Sequence, residues 1–303
     1  MPWHSVERLQ WKQRGRPGAY IPVKKFDAIV IGAGHNGLTN AAYLAKAGLD
    51  VAVLERNSYI GGATVSRELH KGWTYSNCSY VCSLLRPELV RDLQLPRHGL
   101  QVVPYGGGVT FMKNGDYYGT FYDHERQYRE MARHSRRDAN AYERYTADVM
   151  KQTRLIRPFL LKTPPDPTSL KLRDLKDLME YGKAFMGLGE SGLIDALKFW
   201  TKSVGDFLDE YFESDVIKAH LGGTGVIGTA LGVYSPGTAY VLLHHYMGDV
   251  DGNVGSWGFA RGGMGAVAAA LAKSLQGFGG EIICDADVDQ IMVRNGKALS
   301  LIH

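Results

Sequence analysis

Three glycines near the start of the chain have the G-x-G-x-x-G spacing that brings a backbone close to phosphate groups: Gly32, Gly34 and Gly37. The first permits a tight turn, the second lets the backbone reach a pyrophosphate, and the third allows close contact between a helix and a strand. Glu55 stands about 20 residues further on, where a carboxylate accepts hydrogen bonds from a ribose diol and repels a 2′-phosphate. The pattern predicts a site for FAD or NAD and disfavours NADP; a glycine-rich turn without a ligand is the simpler alternative.

The segments around this loop have the pattern of a β–α–β unit. Residues 26–31 are predicted to form an apolar strand, residues 38–46 an alanine-rich helix, and residues 50–54 a second strand. The helix then starts at the loop, where its N–H groups and partial positive charge attract phosphate. Ala33 and Asn36, which fall between the glycines, are therefore predicted to contact the dinucleotide as well.

Two more glycine motifs follow. Gly61-Gly62 comes shortly after Glu55-Arg56, and the block R-G-G-M-G-A at 261–266 opens a predicted helix that leads to strands at 281–284 and 288–293. With these motifs the chain resembles the superfamily of flavin-containing amine oxidases and phytoene desaturases. Members of that superfamily carry a second glycine pair just after the ribose-binding acid, and a late helix and strand that join the first β–α–β unit.

The resemblance implies an FAD cofactor. It also implies that Gly61 and Gly62 lie in a loop beside the dinucleotide and that the backbone of Val288 contacts the adenine. Arg56 could meet a phosphate or be solvated. An NAD-linked dehydrogenase that uses the same turn is an alternative, against which the second glycine pair argues.

Four stretches extend the resemblance to a mitochondrial member of the superfamily. They are VIGAGHNGL (30–38), SLLRPELVRDLQLPRHGL (83–100), YVLLHHYMG (240–248) and SWGFARGGMGA (256–266). This likeness implies a protein of the mitochondrial matrix with a role in mitochondrial function. Superfamily members continue well beyond residue 303 to a final glycine-rich motif that closes over the flavin. We therefore interpret the chain as a C-terminally truncated form that keeps the ADP-binding half of the site.

The net charge of +4 comes from the first 25 residues, which hold six basic residues against one acidic residue. This basic leader is typical of a mitochondrial presequence, although a disordered basic tail has the same composition. The rest of the chain is close to neutral, which excludes a basic body that binds nucleic acid.

The sequence contains three cysteines, two of them spaced C-x3-C, and they indicate neither a redox dithiol nor a zinc site. No apolar run predicts a transmembrane segment.

The distribution of the 37 glycines predicts the domain organisation, because none occurs in 121–180. We expect an α/β protein in which a Rossmann-like FAD-binding domain, 26–105 and 256–303, is interrupted by a mainly helical α+β substrate domain, 106–255. In the insert, Asn114-Gly115 predicts a hairpin. Asp123 is a candidate N-cap, and a helix at 139–157 should end at Pro158.

No Ser/His/Asp set, paired carboxylate or metal-ligand cluster stands out, so no catalytic residue is assigned. That absence fits flavin chemistry, in which the protein mainly positions the reactants. The predicted activity is hydride transfer from an apolar small molecule to FAD. A non-catalytic mitochondrial regulatory or binding protein, which keeps the fold and acts on a protein partner, is the alternative from another class. Five residues are candidates for substrate contact, each with ordinary packing as the simpler explanation: His244, His245, Trp257, Gly262 and Gly263.

Overall fold

The computed structural model of the protein describes residues 9–11 and 24–302. Most of the basic leader predicted for residues 1–25 lies outside the described residues. The helices are α1 (His35–Lys46), α2 (Pro87–Asp92), α3 (His124–His134), α4 (Arg136–Ile156), α5 (Leu172–Met186), α6 (Gly189–Thr201), α7 (Val204–Asp209), α8 (Asp215–Gly222), α9 (Thr238–Tyr246) and α10 (Gly265–Gly277).

The strands are short. They are β1 (Leu9–Trp11), β2 (Lys24–Phe26), β3 (Ala28–Ile31), β4 (Val51–Leu54), β5 (Ser66–His70), β6 (Trp73–Ser76), β7 (Val102–Pro104), β8 (Val109–Phe111), β9 (Tyr117–Gly119), β10 (Asp249–Val250), β11 (Asn253–Val254), β12 (Gly258–Ala260), β13 (Glu281–Ile283), β14 (Gln290–Arg294) and β15 (Lys297–Ile302). The described residues divide into two compact units, one up to Pro104 and from Trp257 onward, the other Tyr105–Ser256.

A parallel sheet in the order β13-β4-β3 forms the centre of the first unit. This is the 3-2-1 order of a Rossmann fold, because β13, the third of these strands along the chain, lies beside the second, β4. All four residues of β4 are buried, as expected for a central strand that is covered on both faces. The predicted α/β class with a Rossmann-like domain is confirmed.

Helices α1 and α10 pack against each other and against this sheet. Small side chains make the contact close, since Ala41, Ala42 and Ala45 of α1 are buried, as are Ala268 and Ala272 of α10. Residues more than 200 positions apart thus share one hydrophobic core. A second sheet in this unit has the order β14-β15-β1-β2.

Three predicted element boundaries in this unit are wrong. The strand expected at 26–31 is two strands, β2 and β3, separated by Asp27. Helix α1 begins at His35 rather than at residue 38, because the glycine loop continues directly into the first helical turn. The strand expected from Val288 begins at Gln290, since Ala286 N–H is bonded to the Glu55 carbonyl and holds the preceding segment at the end of β4.

The second unit is mainly helical around an aromatic core. Tyr118 and Tyr145 are fully buried there, and the ring of Phe212 lies edge-on to Tyr145. The predicted hairpin is confirmed by the pairing of β8 with β9, and Gly115 in its turn has φ +84°. The second unit is thus one continuous segment of the chain with its own hydrophobic core.

The sequence predicted the N-cap of α3 and did not predict that of α4. The Asp123 side chain accepts from Arg126 N–H at 2.7 Å, so the predicted N-cap of α3 is confirmed. Helix α4 starts at Arg136, earlier than the predicted 139, because the Ser135 hydroxyl caps it by accepting from Asp138 N–H. It ends at Ile156, before Pro158, as expected. In the part of the chain that the structure describes, no helix is both long and apolar enough to cross a membrane.

Candidate dinucleotide-binding site

The G-x-G-x-x-G loop connects β3 to α1 in the geometry that the sequence predicts. Gly32 has φ +95°, a left-handed conformation that favours glycine. A Cβ on Gly37 would lie 2.1 Å from the Gly32 carbonyl oxygen, so only glycine permits this approach of the helix to the loop. Gly34 is the N-cap of α1 without a side-chain cap, and the first turn carries no acidic residue. The start of α1 therefore has the charge and the free N–H groups that bind an anion.

The second glycine pair lies directly against this loop. Gly61 N–H donates to the Ala33 carbonyl at 2.9 Å, and Gly61 forms a parallel bridge with Gly34. A Cβ on Gly62 would be 3.1 Å from Gly34 Cα. The Thr64 hydroxyl donates to the Gly61 carbonyl and holds the turn. The two glycine motifs thus form one surface with little side-chain cover, about 25 residues apart in the chain.

Glu55 sits at the end of β4 and is only 7% exposed. Its Oε2 accepts from Ala33 N–H at 2.8 Å, and its Oε1 accepts from Asn57 N–H at 3.0 Å. Burial raises the pKa of Glu55, but the hydrogen bonds from Asn57 and Ala33 outweigh it, with a smaller contribution from Arg56, so the pKa falls below its usual value. The carboxylate is therefore ionised near neutral pH. A carboxylate offers about four lone-pair positions, and three are used by Ala33 N–H and by the two donors of Asn57, so about one is left for a ribose hydroxyl, on Oε2.

Asn57 is a site residue that the sequence reasoning missed. Its side-chain Nδ2 donates to Glu55 Oε1 at 2.6 Å, and its carbonyl accepts from Asp285 N–H at 3.1 Å. No part of the dinucleotide fingerprint specifies the residue two positions after the acid, so the sequence carried no signal for it.

The other predicted dinucleotide contacts lie around this centre. Asn36, in the first turn of α1, and Arg56, beside Glu55, both have exposed side chains. Val288 is half-buried and packs against Leu54 and Ala286 at the end of the sheet. The structure thus gathers the residues predicted to bind the dinucleotide at the carboxyl ends of β3, β4 and β13, where ligands bind in open α/β sheets.

The late glycine block has a role that the sequence did not indicate. Ser66 of β5 and Ser76 of β6 cap α10, because their hydroxyls accept from Gly265 N–H at 2.9 Å and Met264 N–H at 3.0 Å. A Cβ on Gly263 would lie 2.5 Å from Ser66 Oγ, and one on Gly265 would lie 3.0 Å from Ser66. Packing against these serines, together with φ +82° at Gly263, favours glycine at both positions.

Comparisons with known proteins agree with this fold. A family model described as an NAD(P)-binding Rossmann-like domain matches residues 30–90. Pyridine nucleotide-disulfide oxidoreductase domain-containing protein 2 of Mus musculus is 37% identical over 97% of this chain and 53% of its own length. Carotenoid 3,4-desaturase of Haloarcula japonica is 27% identical over 91% of this chain and 53% of its own. A solved structure of a putrescine oxidase triple mutant covers 88% of this chain and 52% of its own with a TM-score of 0.50 and 17% identity, which shows a shared fold.

The chain is thus similar in sequence to pyridine nucleotide-disulfide oxidoreductase domain-containing protein 2 over nearly all of its own length, and it shares a fold with a putrescine oxidase. It spans about half the length of the curated relatives described above.

The residues present fit the ADP part of a dinucleotide such as FAD. An uncapped helix start faces the glycine loop, and adding a Cβ to Gly62 would intrude on the surface beside Gly34. The ionised Glu55 carboxylate at the same sheet edge provides the acceptor that a ribose diol requires. Charge, backbone donors and shape are therefore consistent with a dinucleotide.

The residues predicted to contact substrate do not form one cluster within a unit. His244 and His245 are neighbours on α9 in the second unit, where His245 Nδ1 lies 2.9 Å from the Val241 carbonyl and His244 is exposed. Trp257 is half-buried in the first unit. In that unit Gly262 borders a surface groove that Tyr59, Arg67 and Cys284 also line. Among the described residues no cluster of three or more His, Cys, Asp or Glu could hold a metal ion.

Proposed function

We propose that the protein is an FAD-dependent oxidoreductase of the phytoene-desaturase-like class, which transfers hydride from an apolar small molecule to the flavin in the mitochondrial matrix. The observation that carries the proposal is the ionised Glu55, hydrogen-bonded to Ala33 in the glycine loop while Gly61 bonds to the same residue. Ala33 thus connects the predicted ribose-binding acid, the phosphate loop and the second glycine pair.

The second glycine pair favours FAD over NAD. Gly61 and Gly62 both have positive φ, and both lie close to the loop, where neither adds a side chain. In the flavin-containing family that the sequence resembles, such a second glycine pair follows the ribose-binding acid and lies beside the dinucleotide, which supports FAD. The buried negative charge of Glu55 disfavours the 2′-phosphate of NADP.

Bound FAD would supply the ring that accepts a hydride. The residues of this chain bind and orient it: the N–H groups at the start of α1 hold the pyrophosphate, and Glu55 accepts from the adenosine ribose. Arg56, exposed beside Glu55, adds positive charge near the phosphates. For the substrate, we propose contacts in the second unit from the apolar stretch 221–247, which includes His244 and His245. Trp257, Gly262 and Gly263 are separate candidates in the first unit.

The cofactor assignment is tested by adding FAD to the purified protein, removing free FAD and recording the visible spectrum. Stoichiometric flavin bands that bleach anaerobically with an apolar C–C or C–N hydride donor support the proposal. Binding of NADH without flavin retention would indicate the NAD-linked dehydrogenase instead. A colourless protein that binds neither dinucleotide would indicate the non-catalytic mitochondrial binding protein.

The proposed location is tested separately. Residues 1–25 fused to a fluorescent protein should direct it to mitochondria, because their charge is that of a presequence. A matched fusion with Arg8, Lys12, Arg14 and Arg16 changed to serine should stay in the cytosol. Equal distribution of the two fusions would contradict the mitochondrial assignment.

A further inference from the structure

The segment 55–57 joins the ends of all three parallel strands. Glu55 accepts from Ala33 N–H at the end of β3, and its own N–H donates to the Ile283 carbonyl of β13. The Asn57 carbonyl accepts from Asp285 N–H, and Asp285 has φ +53° at the turn after β13. Asn57 is therefore fixed from the side of β13 while its side chain reaches Glu55.

Two donors of Asn57 meet one carboxylate oxygen. The backbone N–H is 3.0 Å from Glu55 Oε1 and the side-chain Nδ2 is 2.6 Å from it, while Oε2 faces Ala33. Oε2 is thus held from the end of β3, and Oε1 is held by Asn57, which is itself bonded to the turn after β13. These bonds determine the plane of the carboxylate. Hydrogen bonds to a charged group are the stronger class, and burial increases their strength.

We propose that Asn57 is a positioning residue, which holds the Glu55 carboxylate in the orientation that receives an adenosine ribose diol. The inference rests on the proposed function, because it assumes that a dinucleotide occupies this site. It goes beyond that function by assigning selectivity for the diol to a residue outside the glycine fingerprint. Asn57 acts through Glu55 and touches no reacting atom.

The Asn57→Ala variant tests the proposal because it removes Nδ2 and keeps the backbone donor. ADP and 2′,3′-dideoxy-ADP are the probes, and calorimetry on the full chain measures both affinities. We expect Asn57→Ala to weaken ADP binding about tenfold, the loss typical of one charged hydrogen bond. Binding of the dideoxy analogue should stay unchanged, because it offers no hydroxyl to Glu55.

Controls separate positioning from folding. Asn77→Ala removes the same side-chain atoms from an exposed position of the same unit and should leave both affinities unchanged. Asn57→Ala in a Glu55→Gln background should add little to the loss that Glu55→Gln causes alone. Thermal unfolding of each variant shows whether the fold is kept.

The outcomes distinguish this inference from the proposed function. If Asn57→Ala weakens ADP and dideoxy-ADP equally, or weakens neither, the positioning role is overturned while dinucleotide binding stands. If the wild-type chain binds neither ADP nor FAD, the proposed function fails, and the inference with it. Selective loss of ADP that disappears in the Glu55→Gln background supports the role of Asn57.

Discussion

Glu55 Oε2 accepts a hydrogen bond from Ala33 N–H at 2.8 Å, and this bond ties the end of β4 to the loop that follows β3. The acid that the fingerprint assigns to the ribose is thus also part of the structure that shapes the phosphate loop. The Glu55 carboxylate therefore affects both ligand binding and local stability. Matched variants are needed to separate these two effects.

Gly37→Ala should destabilise the protein by about 2 kcal/mol, the cost typical of overpacking. The added methyl would lie 2.1 Å from the Gly32 carbonyl oxygen, and the backbone there has to move. The midpoint of urea denaturation measures the effect. An unchanged midpoint would contradict the geometry of the loop.

Gly34→Ala should leave stability nearly unchanged and weaken binding of FAD at least tenfold. Gly34 has φ −72°, and its Cβ would meet only Gly62 Cα at 3.9 Å, an ordinary contact distance. The methyl would instead occupy space that a pyrophosphate needs. Denaturation and FAD titration of the same preparation check both statements, and undiminished FAD binding would remove the site assignment.

Ser66→Ala and Ser76→Ala should each cost about 1 kcal/mol of stability, because each leaves an N–H at the start of α10 without its acceptor. The two hydroxyl oxygens lie 3.3 Å apart, so their effects should not add fully. A double-mutant cycle by urea denaturation measures this. Ser58→Ala, at an exposed position, is the matched control and should have little effect.

Glu55→Gln should change how stability depends on pH. The pKa of Glu55 is lowered on folding, so its carboxylate stabilises the folded state above the usual value of 4.5, and this stabilisation is lost as the pH falls through the lower, folded-state pKa. The difference in unfolding free energy between wild type and Glu55→Gln should therefore be largest near pH 7 and shrink below pH 4.5. A difference that is constant from pH 7 to pH 3 would show that the carboxylate is not hydrogen-bonded as described.

The geometry of the glycine loop and the position of Glu55 were predictable from the sequence because their determinants are local. Gly32, Gly34 and Gly37 act within one turn, and the alternation of strand, helix and strand around them sets where Glu55 arrives. Turn geometry and helix periodicity are properties of short segments, so their residue spacing is visible in the chain.

The tertiary structure alone decided the contacts between distant segments. That Ser66 and Ser76 cap α10, almost 200 residues later, follows from the packing of a hairpin on a helix, and no spacing rule encodes it. The Asn57 carbonyl meets Asp285 N–H only because β13 lies next to β4 in the folded sheet. The sequence by itself determined which residues make the phosphate loop, since those are steric requirements within one turn. Which side chains support that loop depends on the packing of the whole unit, because hydrogen-bond partners are chosen by distance in space.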